Sequence, residues 1–299
     1  MEATSIVEQP DGRSGPLAGG RDDLRAQLRG MWASVAPAWG QYADYADARG
    51  AAVTEKMLEL SMPQPGERVL ELACGPGGVG LAAAERVAPE GEVVLSDVAA
   101  EMTAIAAARA AALGLSHVTT RVLDLEHIEE PDGSYDVVLC REGLMFAPDP
   151  ARAVREIGRV LRRGGRVALA VWGPRARNPW LGIVLDAVGA QLGAPMPPPG
   201  IPGPFSLEDS GKLAALLSDA ELSDVVISEL PVPARAASFE EWWARTCALA
   251  GPLAERLASL PEGDSEAIRA RAREAVSAYE TPSGLELPGV TLLAGGRRA

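Results

Sequence analysis

Three acidic residues close three apolar runs in the first half of the chain: Glu71 in Val69-Leu-Glu-Leu-Ala-Cys-Gly-Pro-Gly-Gly-Val-Gly80, Asp97 in Glu92-Val-Val-Leu-Ser-Asp97, and Asp124 after the run from His117 to Leu123. Carboxylates at the ends of buried strands face the crevice where open α/β sheets hold their ligands. The first run leads straight into a turn rich in glycine (Gly75, Gly77, Gly78, Gly80) and then into the alanine-rich helix Leu81 to Val87, which Pro89 stops. Glycines let a ligand approach the backbone, and the helix start behind them offers unpaired N–H groups. A nucleotide-like ligand suits such a loop.

Charge narrows the choice of nucleotide. Gly75-Pro-Gly-Gly-Val-Gly80 satisfies the dinucleotide pattern G-x-G-x-x-G, which carries little information without its context. Glu71 at the strand end would repel a pyrophosphate, and Pro76 removes one of the loop N–H groups that would hold it. The same carboxylate favours a ligand bearing an ammonium and no phosphate, as S-adenosylmethionine does. Asp97 lies about 20 residues past Gly77, the distance at which a βαβ unit delivers a carboxylate to a ribose diol. Capping the next helix is the structural alternative for Asp97.

Val69 to Gly77 resembles motif I of the class I S-adenosylmethionine-dependent methyltransferases, with Ala73 where the first glycine of that motif usually stands. Trp32-Ala-Ser-Val-Ala-Pro-Ala-Trp-Gly-Gln-Tyr42 resembles the segment before the core in the quinone-biosynthesis (type 11) small-molecule branch, and Val160-Leu-Arg-Arg-Gly-Gly-Arg-Val167 resembles the family's post-motif signature. The resemblance spans residues 66 to 173. It implies a cofactor site formed by Glu71, Ala73, Cys74, Gly75 and Gly77 of motif I, Asp97, Val98 and Met102 after the second strand, Asp124 and Leu125 after the third, and Cys140 after the fourth. It further implies that Trp39 and Tyr42 close over the cofactor, the structural alternative being that these aromatics pack the N-terminal arm on the core.

The implied fold is α/β, a Rossmann-like seven-stranded, mostly parallel sheet with helices on both faces and a helical cap. Strands are expected at 68–72, 92–97, 117–123, 135–140, 165–172, 224–230 and 285–293, with helices at 178–193, 206–220 and through 239–280. Residues 1–23, rich in Gly and Pro among acidic residues, read as a disordered tail without the apolar core of a signal peptide. Residues 24–173 then hold the N-terminal helices and the cofactor-binding core. Residues 174–299 complete the sheet with strands six and seven and insert a substrate cap around strand six.

A chain of 299 residues with 47% hydrophobic content has ample material for a core, and no apolar run approaches membrane-spanning length. The net charge of −13 argues against a nucleic-acid partner. Cys74, Cys140 and Cys247 are odd in number and far apart, which favours neither a disulfide framework nor a metal site, and a cytoplasmic setting is expected.

Methyl transfer from a sulfonium needs orientation and a dry site, plus a base only when the acceptor must lose a proton. Glu142 is the candidate base, and Arg141 beside it would pair either with Glu142 or with an anionic substrate. Met145, Phe146 and Trp172, with Trp180, Trp242 and Trp243 of the cap, would give an apolar or aromatic lining, so the expected partner is a small-molecule acceptor. A non-methylating enzyme of the same fold and cofactor, and an NAD(P)-dependent oxidoreductase, are the alternatives. Monomer and homodimer both stay open.

Overall fold

The computed structural model describes residues 21–299. The tail expected at 1–23 therefore falls outside the described residues, except for its last three positions, which are helical. In chain order the elements are α1 (Arg21–Gln41), α2 (Ala43–Ser61), β1 (Arg68–Glu71), α3 (Gly78–Val87), β2 (Glu92–Asp97), α4 (Ala100–Ala112), β3 (Val118–Val122), β4 (Tyr135–Arg141), α5 (Pro150–Val160) and β5 (Leu161–Trp172). They continue with α6 (Pro179–Leu192), α7 (Ser210–Ser218), β6 (Leu222–Pro231), β7 (Ala234–Ala236), α8 (Phe239–Leu249), α9 (Pro252–Ala258), α10 (Glu262–Val276), β8 (Glu280–Thr281), β9 (Gly284–Leu287) and β10 (Val290–Arg298).

Seven strands form one sheet in the order β3-β2-β1-β4-β5-β10-β6. All neighbours are parallel except β10, which runs antiparallel to both β5 and β6. This is the Rossmann-like, mostly parallel sheet that the motifs imply. Strand order reverses at β1, which pairs with β2 on one side and β4 on the other, and such a switch point opens a crevice at the strands' carboxyl ends.

The central strands read as continuous apolar runs because both of their faces are covered. Leu70, Val138, Val167 and Leu169 pack with Ile157 of α5 and with Leu213 and Leu217 of α7. Val69, Val93, Val137 and Leu139 pack with Val53 and Met57 of α2, Ala83 and Ala84 of α3, and Ala106 of α4. The alanines let these helices sit close to the sheet.

The strand expected over 285–293 is in fact two. Pro288 supplies no N–H to a ladder, and Pro288-Gly289 divides the run. Residues before it, in β9, join a three-stranded sheet in the order β7-β9-β8, while β10 enters the main sheet. The cap is built on that small sheet together with α6, α8, α9 and α10, around Trp180, Val188, Phe239, Trp242, Ile268 and Leu287. Helix α7 belongs to the main sheet and not to the cap.

Asn178 joins cap to sheet. Its buried side chain donates to Gly173 O at 3.0 Å, Val290 O at 3.0 Å and Pro174 O at 3.2 Å, and its Oδ1 accepts from Val290 N at 3.0 Å and Trp180 Nε1 at 3.0 Å. One side chain thus ties the end of β5 to the starts of β10 and α6. Stranded buried polar groups cost about 1–3 kcal/mol each, so Asn178→Ala should lose about 3 kcal/mol in urea unfolding. A loss below about 1 kcal/mol would show that water replaces the side chain.

Candidate functional site

A cavity opens at the carboxyl ends of β1, β2, β4 and β5, with α1 and α2 on one side and cap helices α6 and α8 on the other. All three acids reach it. Glu71, 2% exposed, ends β1 with its Oε2 accepting from Gly80 N at 2.8 Å, so its carboxylate sits on the N-terminus of α3. A Cβ at Gly80 would stand 2.6 Å from that oxygen and 2.1 Å from Leu95 Cδ2, which is why the helix start has none. Burial pushes the Glu71 pKa up to about 7, against the opposing pull of the Arg141 guanidinium and the N–H groups of Gly80 and Val79.

Asp97 ends β2. Its Oδ2 accepts from Gly75 N at 2.9 Å and its Oδ1 from Ala99 N at 3.0 Å, so it ties the glycine loop to the approach to α4. Burial raises its pKa while the N–H groups of Ala99, Gly75 and Val98 oppose the rise. The structural and ligand-facing readings of this residue are compatible, because each carboxylate oxygen has further lone-pair capacity. Asp124 accepts from Glu126 N at 2.8 Å within a tight turn after β3.

Ala73 and Glu142 follow the ends of adjacent strands, and both adopt left-handed backbone, with φ of 49° and 58°. Ala73 keeps the conformation that favours glycine at this position of the motif, at a cost on the order of 1–2 kcal/mol. Both line the cavity, as do Cys74, Gly75, Val98, Met102, Leu125, Phe146 and Trp172.

Helix α1 closes one side. Trp39 lines the cavity with its Nε1 buried and lacking a hydrogen-bond partner among the described residues. It meets Trp32 edge-on at 6.5 Å between ring centroids, and Trp32 meets Phe146 edge-on at 4.9 Å. Arg25 of α1 donates from Nε to Glu126 at 3.2 Å, and Glu126 Oε1 accepts from Asp149 N at 2.7 Å, which fastens the helix to the loop after β3.

Four expected site residues lie outside the lining. Tyr42 sits at the break between α1 and α2, and Tyr45, nearly one turn later, reaches the cavity in its place. Gly77, with φ of 90°, shapes the loop, and its Cα is packed toward Leu95 and Ala106. Cys140 is fully buried with Val138 and Leu70, because strand alternation turns it to the α5 face while Arg141 emerges at the edge. Met145 points into the same core, and Phe146 takes the outward position. Trp242 and Trp243 also stay in the cap, where Trp242 Nε1 donates to Trp180 O at 3.1 Å and so supports the residue that does line the cavity.

Arg141 lines the cavity but is turned toward α2 and the glycine loop. Its NH1 donates to Thr54 Oγ1 at 2.8 Å and its NH2 lies 3.6 Å from Asp47 Oδ1. The residues that sequence reasoning missed are mainly cationic. Arg49 stacks over Trp180 at 3.9 Å from the ring centroid, and Arg245 stacks over Tyr45 at 3.6 Å. Tyr45 and Arg49 are spaced i, i+4 on α2, a signal that could have placed both on one helix face.

Residues 69–165 match the family model described as "Methyltransferase domain". Over 147 residues the chain is 37% identical to nocamycin O-methyltransferase of Saccharothrix syringae, covering 46% of this chain and 52% of that protein. It is 34% identical over 113 residues to aklanonic acid methyltransferase DauC of Streptomyces sp. (strain C5), covering 38% and 51%. The chain thus spans about half the length of these curated relatives. In fold it is similar to the YcgJ protein of Bacillus subtilis, with a TM-score of 0.57 at 20% identity over 82% of this chain and 97% of that one.

The Glu71 proton yields a test of the site's electrostatics. The folded protein holds it up to about 7, whereas an unfolded chain releases it near 4.5. The stability this group contributes is therefore full below that lower value and is lost as pH rises through about 7, a loss of about 3 kcal/mol in all. Relative to wild type, Glu71→Gln should gain about 2 kcal/mol between about pH 5 and pH 8 in urea unfolding. A pH-independent difference would show that Glu71 titrates like an exposed carboxylate.

Proposed function

We propose, from the premise that residues 69–165 are a methyltransferase domain, that the protein transfers a methyl group from S-adenosylmethionine to a small apolar or aromatic acceptor. The observation that carries this reading is Glu71 on the N-terminus of α3. In a dinucleotide enzyme that helix start receives the ligand's pyrophosphate. Here an internal carboxylate takes the Gly80 N–H, so a nicotinamide dinucleotide is opposed and an ammonium-bearing nucleoside is favoured.

In this reading Glu71 favours the methionyl ammonium, Asp97 accepts from the ribose hydroxyls, and Asp124 with Leu125 and Met102 receives the adenine. Trp39 Nε1, unpartnered among the described residues, would be a donor to the same ligand. When bound, S-adenosylmethionine supplies an electrophilic methyl on sulfur. The protein's part is to orient the acceptor in line, to exclude water with α1 and the cap, and to take a proton from the acceptor on Glu142. Phe146 and Trp172 supply the flat apolar wall. Two relatives named for small-molecule acceptors support the substrate class. The net charge of −13 supports the absence of a nucleic-acid partner. No helix among the described residues is long and apolar enough to cross a membrane.

Calorimetry with S-adenosylhomocysteine and NAD is the direct test. The wild type should bind S-adenosylhomocysteine and not NAD. Charge-assisted hydrogen bonds contribute about 1.5–3 kcal/mol, so Asp97→Ala should weaken binding by roughly one to two orders of magnitude. Thermal unfolding of the same variant separates lost contacts from a loosened glycine loop. Tight NAD binding without a response to S-adenosylhomocysteine would overturn the proposal.

A further inference from the structure

Arg49 has no ion-pair partner among the described residues. Its Nε is buried with no hydrogen-bond partner, and no hydrogen bond or ion pair from its guanidinium occurs among the described residues. The Glu142 carboxylate favours its charged form, and Arg245 and Arg141 oppose it. Its neighbours are satisfied. Arg141 is held by Thr54 and Asp47, and Arg245 by Glu241 and the carbonyl of Arg235. Arg49 has only the face of Trp180 beneath it.

A second open donor stands at the same wall. Trp172 Nε1 is buried without a hydrogen-bond partner among the described residues, and the Trp172 ring meets Trp180 edge-on at 4.8 Å between centroids. Burying a guanidinium without an acceptor is costly, and a planar fork of N–H donors matches a two-oxygen anion. A chain with a net charge of −13 has many carboxylates, yet none pairs with this arginine among the described residues.

Resting on the methyl-transfer reading above, we infer that the acceptor carries an anionic oxygen group, a carboxylate or an acidic enol, which docks on Arg49 and Trp172 Nε1 while its ring body lies against Trp172 and Trp180. The glycine loop has a different cation beside it. Arg141 lies beside the glycine loop, where a Cβ on Gly78 would come within 3.0 Å of its NH2, and its charge acts on Glu71. Arg49 faces the cap helix instead, through Trp180 of α6.

The probes are anthraquinone-2-carboxylate and its neutral amide, titrated into the full chain with S-adenosylhomocysteine present and followed by tryptophan fluorescence. Wild type should bind the acid roughly tenfold or more tightly than the amide. Arg49→Met should abolish that preference, Arg49→Lys should retain part of it, and S-adenosylhomocysteine affinity should stay within about twofold in both. Equal affinity for acid and amide in the wild type, or no binding of either, overturns the inference without recourse to a variant. So does an Arg49→Met protein that keeps the preference, or one that loses S-adenosylhomocysteine instead, which would assign Arg49 to the cofactor. Failure of S-adenosylhomocysteine to bind the wild type would overturn the cofactor reading and the acceptor assignment with it. Normal S-adenosylhomocysteine binding with no acid preference overturns the acceptor assignment alone.

Discussion

The site depends on one internal hydrogen bond, from the Gly80 N–H to the Glu71 carboxylate. A helix N-terminus attracts an anion, and in this fold the anion could come from a ligand or from the chain. Supplying it from the chain uses up the helix's affinity for phosphate and fixes the strand end against the helix start. Burial works against that charge, and the result is a carboxyl group held near neutrality. Such a group gains from a cation brought alongside it, because the cation offsets the same desolvation that raised the pKa. Ligand choice is therefore set by where the negative charge already is.

Asp97 extends the same device one strand further. It grips Gly75 in the loop and Ala99 at the approach to α4. The two acids together hold the glycine loop from both sides, with Glu71 at its helical end and Asp97 near its start. The left-handed Ala73 and Glu142 flank this assembly at the ends of neighbouring strands. Their strain is sustained because the sheet is covered on both faces and cannot relax at its edge.

Much of this was legible from residue types in order. The strand of Glu92 to Asp97 coincides with its sequence run. The parallel core could be read because strands buried on both faces lack alternation and glycine marks the loop. Side-chain direction was less accessible. Cys140 and Arg141 are adjacent, yet one points into the core and the other to the cavity, and the sequence does not say which until the register of β4 is known. The break between α1 and α2 likewise rotates Tyr45, and not Tyr42, into the site. The cap was hardest to foresee, since Leu285 and Leu293 belong to different sheets despite lying in one apolar run.

The distribution of charge completes the logic of the cavity. Acids cluster at the ends of β1, β2 and β3, where the loop N–H groups can satisfy them. Arginines reach the cavity from α1, α2, β4 and α8, with Arg141 beside the glycine loop and Arg49 over Trp180 of the cap. Arg25, Arg141 and Arg245 pair with carboxylates of the chain and so shape the wall, while Arg49 is left to act outward. A bound pair of ligands of opposite polarity, one presenting an ammonium to Glu71 and one presenting an anion to Arg49, would each be attracted to its own end and repelled from the other. Orientation in such a cavity follows from charge before any shape complementarity is considered. That ordering suits a displacement reaction in which alignment is the protein's main contribution.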